Sequence, residues 1–409
     1  MQSSLTCQSA PASRRCCGQP FTASKVAPRP RVTSVTCRAA VGQDPLLLRV
    51  ARGEVAERTP VWLMRQAGRY MAAFREFSDK YPFRMRSETP DIAIELSLQP
   101  LRAFGTDGII FFSDILTPLP GMGIEFDMVK GKGPVIADPV RSIERLKQLT
   151  PLSDPASRLP FISSILSTLR SEADSAGVTL LGFIGTPWTL AAYSVEGKAD
   201  KDCKETKKLM FHNPALLHSF LDFLTEHLIT YAAYQIESGA QVIQLFDSWA
   251  HHLSPQQFAE FSLPYAERIT AALKQRYPHV PVIMHANGGT GKLELMRGSQ
   301  ADVIGLDWAV DMATARDTLG GNVRVQGNVD PMVLFGPEEA IRAEVERCLK
   351  AAGPTGHILN VGHGVVQGTP EANVALFCEL ARQSGAFHAS QAAAAACCNG
   401  ASVREHVLA

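Results

Sequence analysis

The sequence predicts an α/β protein built as a single (β/α)8 TIM barrel, with an active-site cleft at the C-terminal ends of its strands. Three observations predict it. Eight short apolar runs recur along the body of the chain, most of them separated by helical stretches. The runs are continuously apolar rather than alternating, which suits parallel strands covered on both faces. No Gly-rich phosphate fingerprint follows the first run, which disfavours the alternative, an open doubly wound sheet.

Taken in order, the first run is 60–64 and leads into Arg65-Gln-Ala-Gly-Arg69-Tyr70. A helix is expected over about 90–104, then a second run, 107–112, ending in Ser113-Asp114. A Gly-rich insertion, 121–139, carries two alternating segments and reads as a β-hairpin hung on a loop. Helices follow near 143–149 and 155–176. The third run, 178–184, ends in Gly185-Thr-Pro-Trp188, and a long helical region covers about 214–238. The fourth, 241–246, ends in Asp247-Ser248, and the next helix opens at Ser254-Pro255 with Ser as N-cap and Pro in the first turn. The fifth, 280–284, ends in His285-Ala-Asn-Gly-Gly289; the sixth, 302–306, in Asp307-Trp308. The seventh, 323–326, ends in Gly327-Asn328-Val-Asp330; the eighth, 357–361, in Gly362-His363-Gly364. A closing helix covers about 370–382.

Both ends differ from this body. Residues 1–43 hold six basic residues and no Asp or Glu, so the zero net charge of the chain hides a remainder with 34 basic and 40 acidic residues. A segment so rich in Ser, Thr, Ala and Pro lacks the apolar surface to order itself. It matches an organelle transit peptide and lacks the apolar core of a secretory signal; the stretch Val35-Thr-Cys37-Arg-Ala39 looks like a processing site for plastid import. The chain thus divides into a disordered plastid transit peptide (1–43), a barrel domain (44–385) and a low-complexity tail (386–409), expected to lack structure. Chloroplast localisation, in the plastid stroma, is the corresponding expectation.

Composition also narrows the partners. Nothing in the charge distribution points to nucleic acid. The longest uncharged stretch of the body, 175–195, is broken by Gly182, Gly185, Pro187 and polar residues, so no stable membrane insertion is expected. Of nine cysteines only Cys203, Cys348 and Cys378 lie in the body, without metal-ligand spacing or a disulfide framework.

If the barrel is right, the chemistry sits at the strand exits. That rule selects Arg65, Arg69, Asp114, Trp188, Asp247, Ser248, His285, Asn328, Asp330 and His363. Two guanidiniums in one mouth repel unless an anion sits between them, and a guanidinium matches a carboxylate or phosphate bidentately. A salt bridge to a loop acid is the plainer explanation for the pair. Asp114 is placed either to cap the next helix or to face the mouth as an acceptor. His363, between glycines, has little to pack against and reads as functional. Tyr193 is either a core aromatic or a phenol in the cleft. There is no Walker motif, no dinucleotide fingerprint, no GxSxG elbow and no metal-ligand spacing. Position alone therefore gives an anionic substrate with no obvious metal or nucleotide.

At these same residues the sequence resembles the uroporphyrinogen decarboxylases. One signature is Pro60-Val-Trp-Leu-Met-Arg65-Gln-Ala-Gly-Arg69-Tyr70; a second is Gly182-Phe-Ile-Gly-Thr-Pro-Trp-Thr-Leu-Ala-Ala-Tyr193. Supporting blocks are 112–115, 244–248, 305–308, 326–331 and 360–364, and the likeness runs from about residue 45 to 386. The resemblance implies removal of CO2 from the four acetate side chains of uroporphyrinogen, giving coproporphyrinogen, by a homodimeric barrel that uses no cofactor. By matching position, Arg65 and Arg69 would bind substrate carboxylates. Asp114 would accept from the pyrrole N–H groups and stabilise a protonated pyrrole, and Tyr193, Ser248 and His363 would line the cleft. Arg65 is also a candidate proton donor, although an arginine stays charged at ordinary pH. Two rivals share the cleft: a zinc-dependent methyltransferase on the same barrel, and a tetrapyrrole-binding protein without turnover. Asn287 stands where such methyltransferases carry a cysteine ligand, so no metal is expected.

Overall fold

The computed structural model describes residues 43–129, 131–321 and 323–405, and the side chains only as far as residue 390. The expected transit segment, 1–43, lies outside the described residues but for its last position. Nine strands are present among them: β1 (Gly108–Ile110), β2 (Asp127–Val129), β3 (Gly133–Val135), β4 (Thr179–Gly185), β5 (Val242–Asp247), β6 (Val282–Ala286), β7 (Val303–Gly305), β8 (Arg324–Val329) and β9 (His357–Val361). All but β2 and β3 form one parallel sheet, in chain order from β1 to β9. β2 and β3 form the expected antiparallel hairpin between β1 and β4.

The sheet closes through the first apolar run. Val61 bridges Leu359 in parallel. Leu359 N–H donates to Pro60 O at 2.9 Å on one side, and Asp107 N–H donates to Val61 O at 2.7 Å on the other. The segment 60–64 is thus the eighth stave of the barrel, held at few points. Asp107 locks the seam. Its Oδ2 accepts from Val61 N at 2.8 Å, and Arg58 grips the carboxylate with both terminal nitrogens at 2.7 and 2.8 Å. Such a bidentate pair, with the acid 7% exposed, fixes where the first stave meets β1.

Alternation along the strands sorts side chains to two cores. The inward faces pack Trp62, Leu181, Val242, Ile283, Val303 and Ile358 into one cluster, plugged from the N-terminal end by Leu47 and Leu48 of the helix Leu46–Arg52. Outward faces pack against the surrounding helices in the larger cluster. Above the plug the interior turns polar. Trp62 Nε1 donates to Gln326 Oε1 at 2.9 Å, and Gln326 Nε2 donates to Gln244 Oε1 at 3.2 Å. The bottom of the barrel is therefore a dry plug and the upper interior a hydrogen-bonded layer, which is the polarity a mouth-side site requires.

Most expected helices form close to their expected bounds, as Pro90–Phe104, Ile143–Lys147 and Pro214–Glu237. The stretch 155–176 breaks into Pro155–Arg158 and Pro160–Ala176, because Pro160 starts a new first turn. Ser254 and Gln257 form a full capping box. The closing helix differs from expectation. It runs Glu371–Glu405, well past Arg382 and through the low-complexity tail. Gly385 alone costs only about 1 kcal/mol in a helix, and the alanine-rich stretch beyond it has the highest helix propensity of any residue type. Gly385 is also tolerated because a Cβ there would press on Glu57 O. Cys203, Cys348 and Cys378 are buried free thiols. No helix among the described residues is long and apolar enough to cross a membrane.

Candidate active site

The loop after the first stave is built by its uncharged residues, and this is what turns its arginines outward. Buried Gln66 accepts from Leu63 N at 3.2 Å and donates to Gly108 O at 3.0 Å, tying the loop to β1. Tyr70 Oη donates to Gln66 O at 2.7 Å. Arg65 is held in the left-handed region at φ 59, a conformation that costs a side chain about 1 kcal/mol or more and persists only where the surroundings impose it. Arg65 and Arg69 are both exposed. Among the described residues neither guanidinium has an ion-pair or hydrogen-bond partner, so the loop acid that would explain them structurally is not there.

Asp114 caps the turn that follows it and keeps one carboxylate oxygen unengaged among the described residues. Oδ1 accepts from Leu116 N at 2.8 Å, capping the following turn, and its own N–H donates to Thr117 Oγ1 at 3.2 Å. Oδ2 takes no bond from any described residue. The residue keeps some exposure while its carboxylate is recessed. Burial pushes the Asp114 carboxyl up from its ordinary range, opposed by the Leu116 N–H and the charge of Arg65.

The second signature brings Tyr193 within reach of the charge of Asp114. Gln235 clamps β4 by accepting from Phe183 N and donating to Phe183 O, both at 2.8 Å. Thr186 caps the helix Pro187–Glu196, and Tyr193 lies on it with its ring 4.5 Å from that of Trp249. Burial raises the Tyr193 phenol, and the charges of both Asp114 and Arg65 reach it. At the eighth exit, a Cβ on Gly362 would fall 2.2 Å from Trp308 N, and one on Gly364 would fall 2.2 Å from Arg65 Cδ. The two glycines therefore let the sixth exit and the stem of Arg65 close around His363. Gly364 N–H donates to His363 Nδ1 at 2.7 Å, which leaves the proton of the neutral ring on Nε2 as a donor. Burial first, then the charges of Arg65 and His251, hold this ring below its usual pKa. Ser248 is half-buried, and its carbonyl accepts from Asn287 Nδ2 at 3.2 Å beside His251.

Arg65, Asp114, Tyr193 and His363 thus share one electrostatic neighbourhood, and His251 links His363 to the loop of Ser248. Arg69 lies farther round the rim, where its charge bears on Arg86. Other strand-exit residues are structural. Asp247 is fully buried and accepts from Thr186, Thr189 and Ser262. Trp188 is buried, with Nε1 donating to Trp249 O at 3.1 Å. Asn328 donates to Asp307 O and Val310 O, and Asp330 caps Met332. His285 is buried against Gly305 O, and burial lowers its pKa to about 4. The rule of strand exits does not point to Arg86 or His251, since both stand beyond the exits in helical turns.

A parallel barrel whose mouth carries cations without partners among the described residues, beside a recessed carboxylate, has the make-up of a TIM-barrel enzyme. The family model described as Uroporphyrinogen decarboxylase (URO-D) matches residues 43–384. Uroporphyrinogen decarboxylase of Picosynechococcus sp. is 54% identical over 84% of this chain and 98% of its own length. Its counterpart in Synechocystis sp. is 55% identical over 83% of this chain and 97% of its own. The chain belongs to the uroporphyrinogen decarboxylase family. A methyltransferase from Methanosarcina mazei superposes with a TM-score of 0.70 at 20% identity, over 83% of this chain and 99% of its own, and so shares the fold.

Proposed function

We propose that this protein removes CO2 from the four acetate side chains of uroporphyrinogen, giving coproporphyrinogen, a step of tetrapyrrole synthesis. The observation that carries the mechanism is the free Oδ2 of Asp114 on the floor of a mouth whose arginines lack partners. A proton adds to a pyrrole ring carbon and leaves positive charge on the ring nitrogen. The bond from the acetate methylene to its carboxylate then breaks. Its electron pair flows into the ring as CO2 departs. A second proton goes to the new exocyclic methylene, and the first is lost from the ring carbon, so each cycle replaces one CO2 by one proton. Asp114 accepts from the pyrrole N–H groups and stabilises the cation as it forms. Arg65 and Arg69 bind substrate carboxylates; Tyr193, Ser248 and the Nε2–H of His363 line the cleft and orient the acidic arms. Arg65 positions the acetate that loses CO2, and a water or a protonated substrate carboxyl carries the proton. The steps need no group beyond chain, substrate and water. The methyltransferase and non-catalytic binding readings lose ground to relatives that are more than half identical over nearly their full length. The test is anaerobic incubation of purified protein with uroporphyrinogen. Coproporphyrinogen should accumulate through intermediates of decreasing carboxylate number, and its absence would sink the reading.

Two further parts of the proposal concern the setting. The protein acts as a homodimer; Trp308, Met332 and Phe335, which follow β7 and β8, are 52%, 55% and 42% exposed and offer an apolar rim for a second copy. A monomeric mass by light scattering at micromolar concentration would contradict this. The protein works in the plastid, supported by the acid-free, basic first 43 residues and by the cyanobacterial relatives. A fluorescent fusion of that segment that stays in the cytosol would contradict it.

A further inference from the structure

We propose that Arg86 is a third carboxylate-gripping guanidinium of the cleft, holding one acidic arm of the tetrapyrrole against an aromatic wall. The inference rests on the cleft being the uroporphyrinogen site. Arg86 lies on the helix Phe83–Glu88, in the long segment between the first stave and β1, and is only 8% exposed. Its guanidinium carbon stands 5.4 Å from the ring centres of Phe74 and Phe83 and 5.8 Å from that of Phe112. These rings pack on one another, with Phe112 5.5 Å from each of the other two. Phe112 is two residues before Asp114, so the wall continues into the floor of the site.

The cation is poorly satisfied where it stands. Nε donates to Tyr81 O at 3.1 Å, but neither terminal nitrogen has a partner among the described residues. Neither is among the sealed, unpartnered polar atoms of the structure, so both open onto accessible space. Among the described residues no carboxylate lies within ion-pairing distance; the charge that bears on it most is another cation, Arg69, with the carboxylate of Asp79 a lesser, opposing one. A desolvated guanidinium without an anion is costly, and three rings recover only part of that cost. An incoming carboxylate would meet two fork donors pre-set by the rings, with Arg69 alongside. A substrate with eight carboxylates needs more such contacts than Arg65 and Arg69 supply.

The test uses the purified full chain and uroporphyrin, the oxidised, fluorescent octacarboxylate that cannot turn over, with turnover of uroporphyrinogen measured alongside. Arg86→Leu should keep a native circular-dichroism spectrum and weaken uroporphyrin binding by about tenfold or more. Arg86→Lys keeps the charge on the rings but loses the fork, and should weaken binding several-fold while preserving the melting temperature. A purely structural Arg86 would shift the melting temperature and leave Kd alone. Either variant folded and binding uroporphyrin as tightly as the parent overturns the proposal. Parent protein that binds uroporphyrin through Arg86 yet never decarboxylates uroporphyrinogen would overturn the enzyme reading and leave Arg86 standing.

Discussion

Replacing Asp114 by Asn separates charge from shape at the floor of the cleft. The amide oxygen can still accept from Leu116 N, so the cap that Asp114 forms at 2.8 Å is retained. What is lost is a full negative charge beside the developing pyrrole cation. At about 4 Å and an effective dielectric of about 20, that interaction is worth about 4 kcal/mol. The expected loss in kcat is therefore on the order of a thousandfold. Binding should change far less, because the arginines that meet the carboxylates are untouched. Stability should move the other way. Burial raises the Asp114 carboxyl, so the folded state holds its proton more tightly than the unfolded chain. Stability from this group is present at low pH and lost as pH rises through the folded value. Asp114→Asn should thus melt no lower than the parent at neutral pH, with the gap closing in acid. Anaerobic initial rates, uroporphyrin binding and thermal melts across pH read all three quantities. Near-parental kcat in a folded variant would refute the charge argument, and a large drop in melting temperature would refute the claim that Asp114 is placed at a cost to the fold.

Other expectations follow from neighbouring contacts. Gly364→Ala places a Cβ 2.2 Å from Arg65 Cδ and should displace that side chain, lowering kcat/KM about tenfold with the melting temperature nearly unchanged; unaltered kinetics would mean Arg65 works from elsewhere. Asp107→Ala removes the partner of both Arg58 and Val61 N at the seam of the barrel, and should cost about 3 kcal/mol in a denaturant titration. Burial lowers His357 and His285 from 6.5 to about 4, so stability should fall as pH drops from 6.5 toward 4, by about 3 kcal/mol for each histidine once fully titrated. His357→Gln should flatten that slope, and an unchanged profile would show that this ring does not titrate with unfolding. Because the cleft arginines have no partner among the described residues, KM should rise steeply with ionic strength, and a salt-independent KM would argue against them as the binding groups.

The barrel was legible because its strands are buried on both faces, which writes continuous apolar runs into the sequence. Six of those runs form strands, ending at Ile110, Gly185, Asp247, Ala286, Gly305 and Val361, that close within two residues of where the apolar pattern stops. The first stave was legible as a run but not as a strand of ordinary pairing, since it is held by one bridge and the Asp107 lock. The tail was misjudged because low complexity in alanine favours helix rather than disorder. In the candidate site, strand exit led to Arg65, Asp114 and His363. It could not separate them from Asp247 or Asn328, which stand at equivalent positions but turn into a hydrogen-bond network. Only the partners decide that, and partners are long-range. Arg86 was invisible for a related reason: of the rings in its aromatic cage only Phe83 shares its helix, while Phe74 lies on the helix Ala72–Ser78 and Phe112 follows β1.

In the proposed mechanism a carboxylate reaches the ring nitrogens while guanidiniums hold the acidic arms. Crystals of the protein grown anaerobically with coproporphyrinogen would show this directly. Pyrrole nitrogens within hydrogen-bond distance of Asp114 Oδ2, with propionates on Arg65 or Arg69, are the predicted result. A tetrapyrrole bound with its nitrogens turned away from Asp114, or seated outside the mouth, would contradict it.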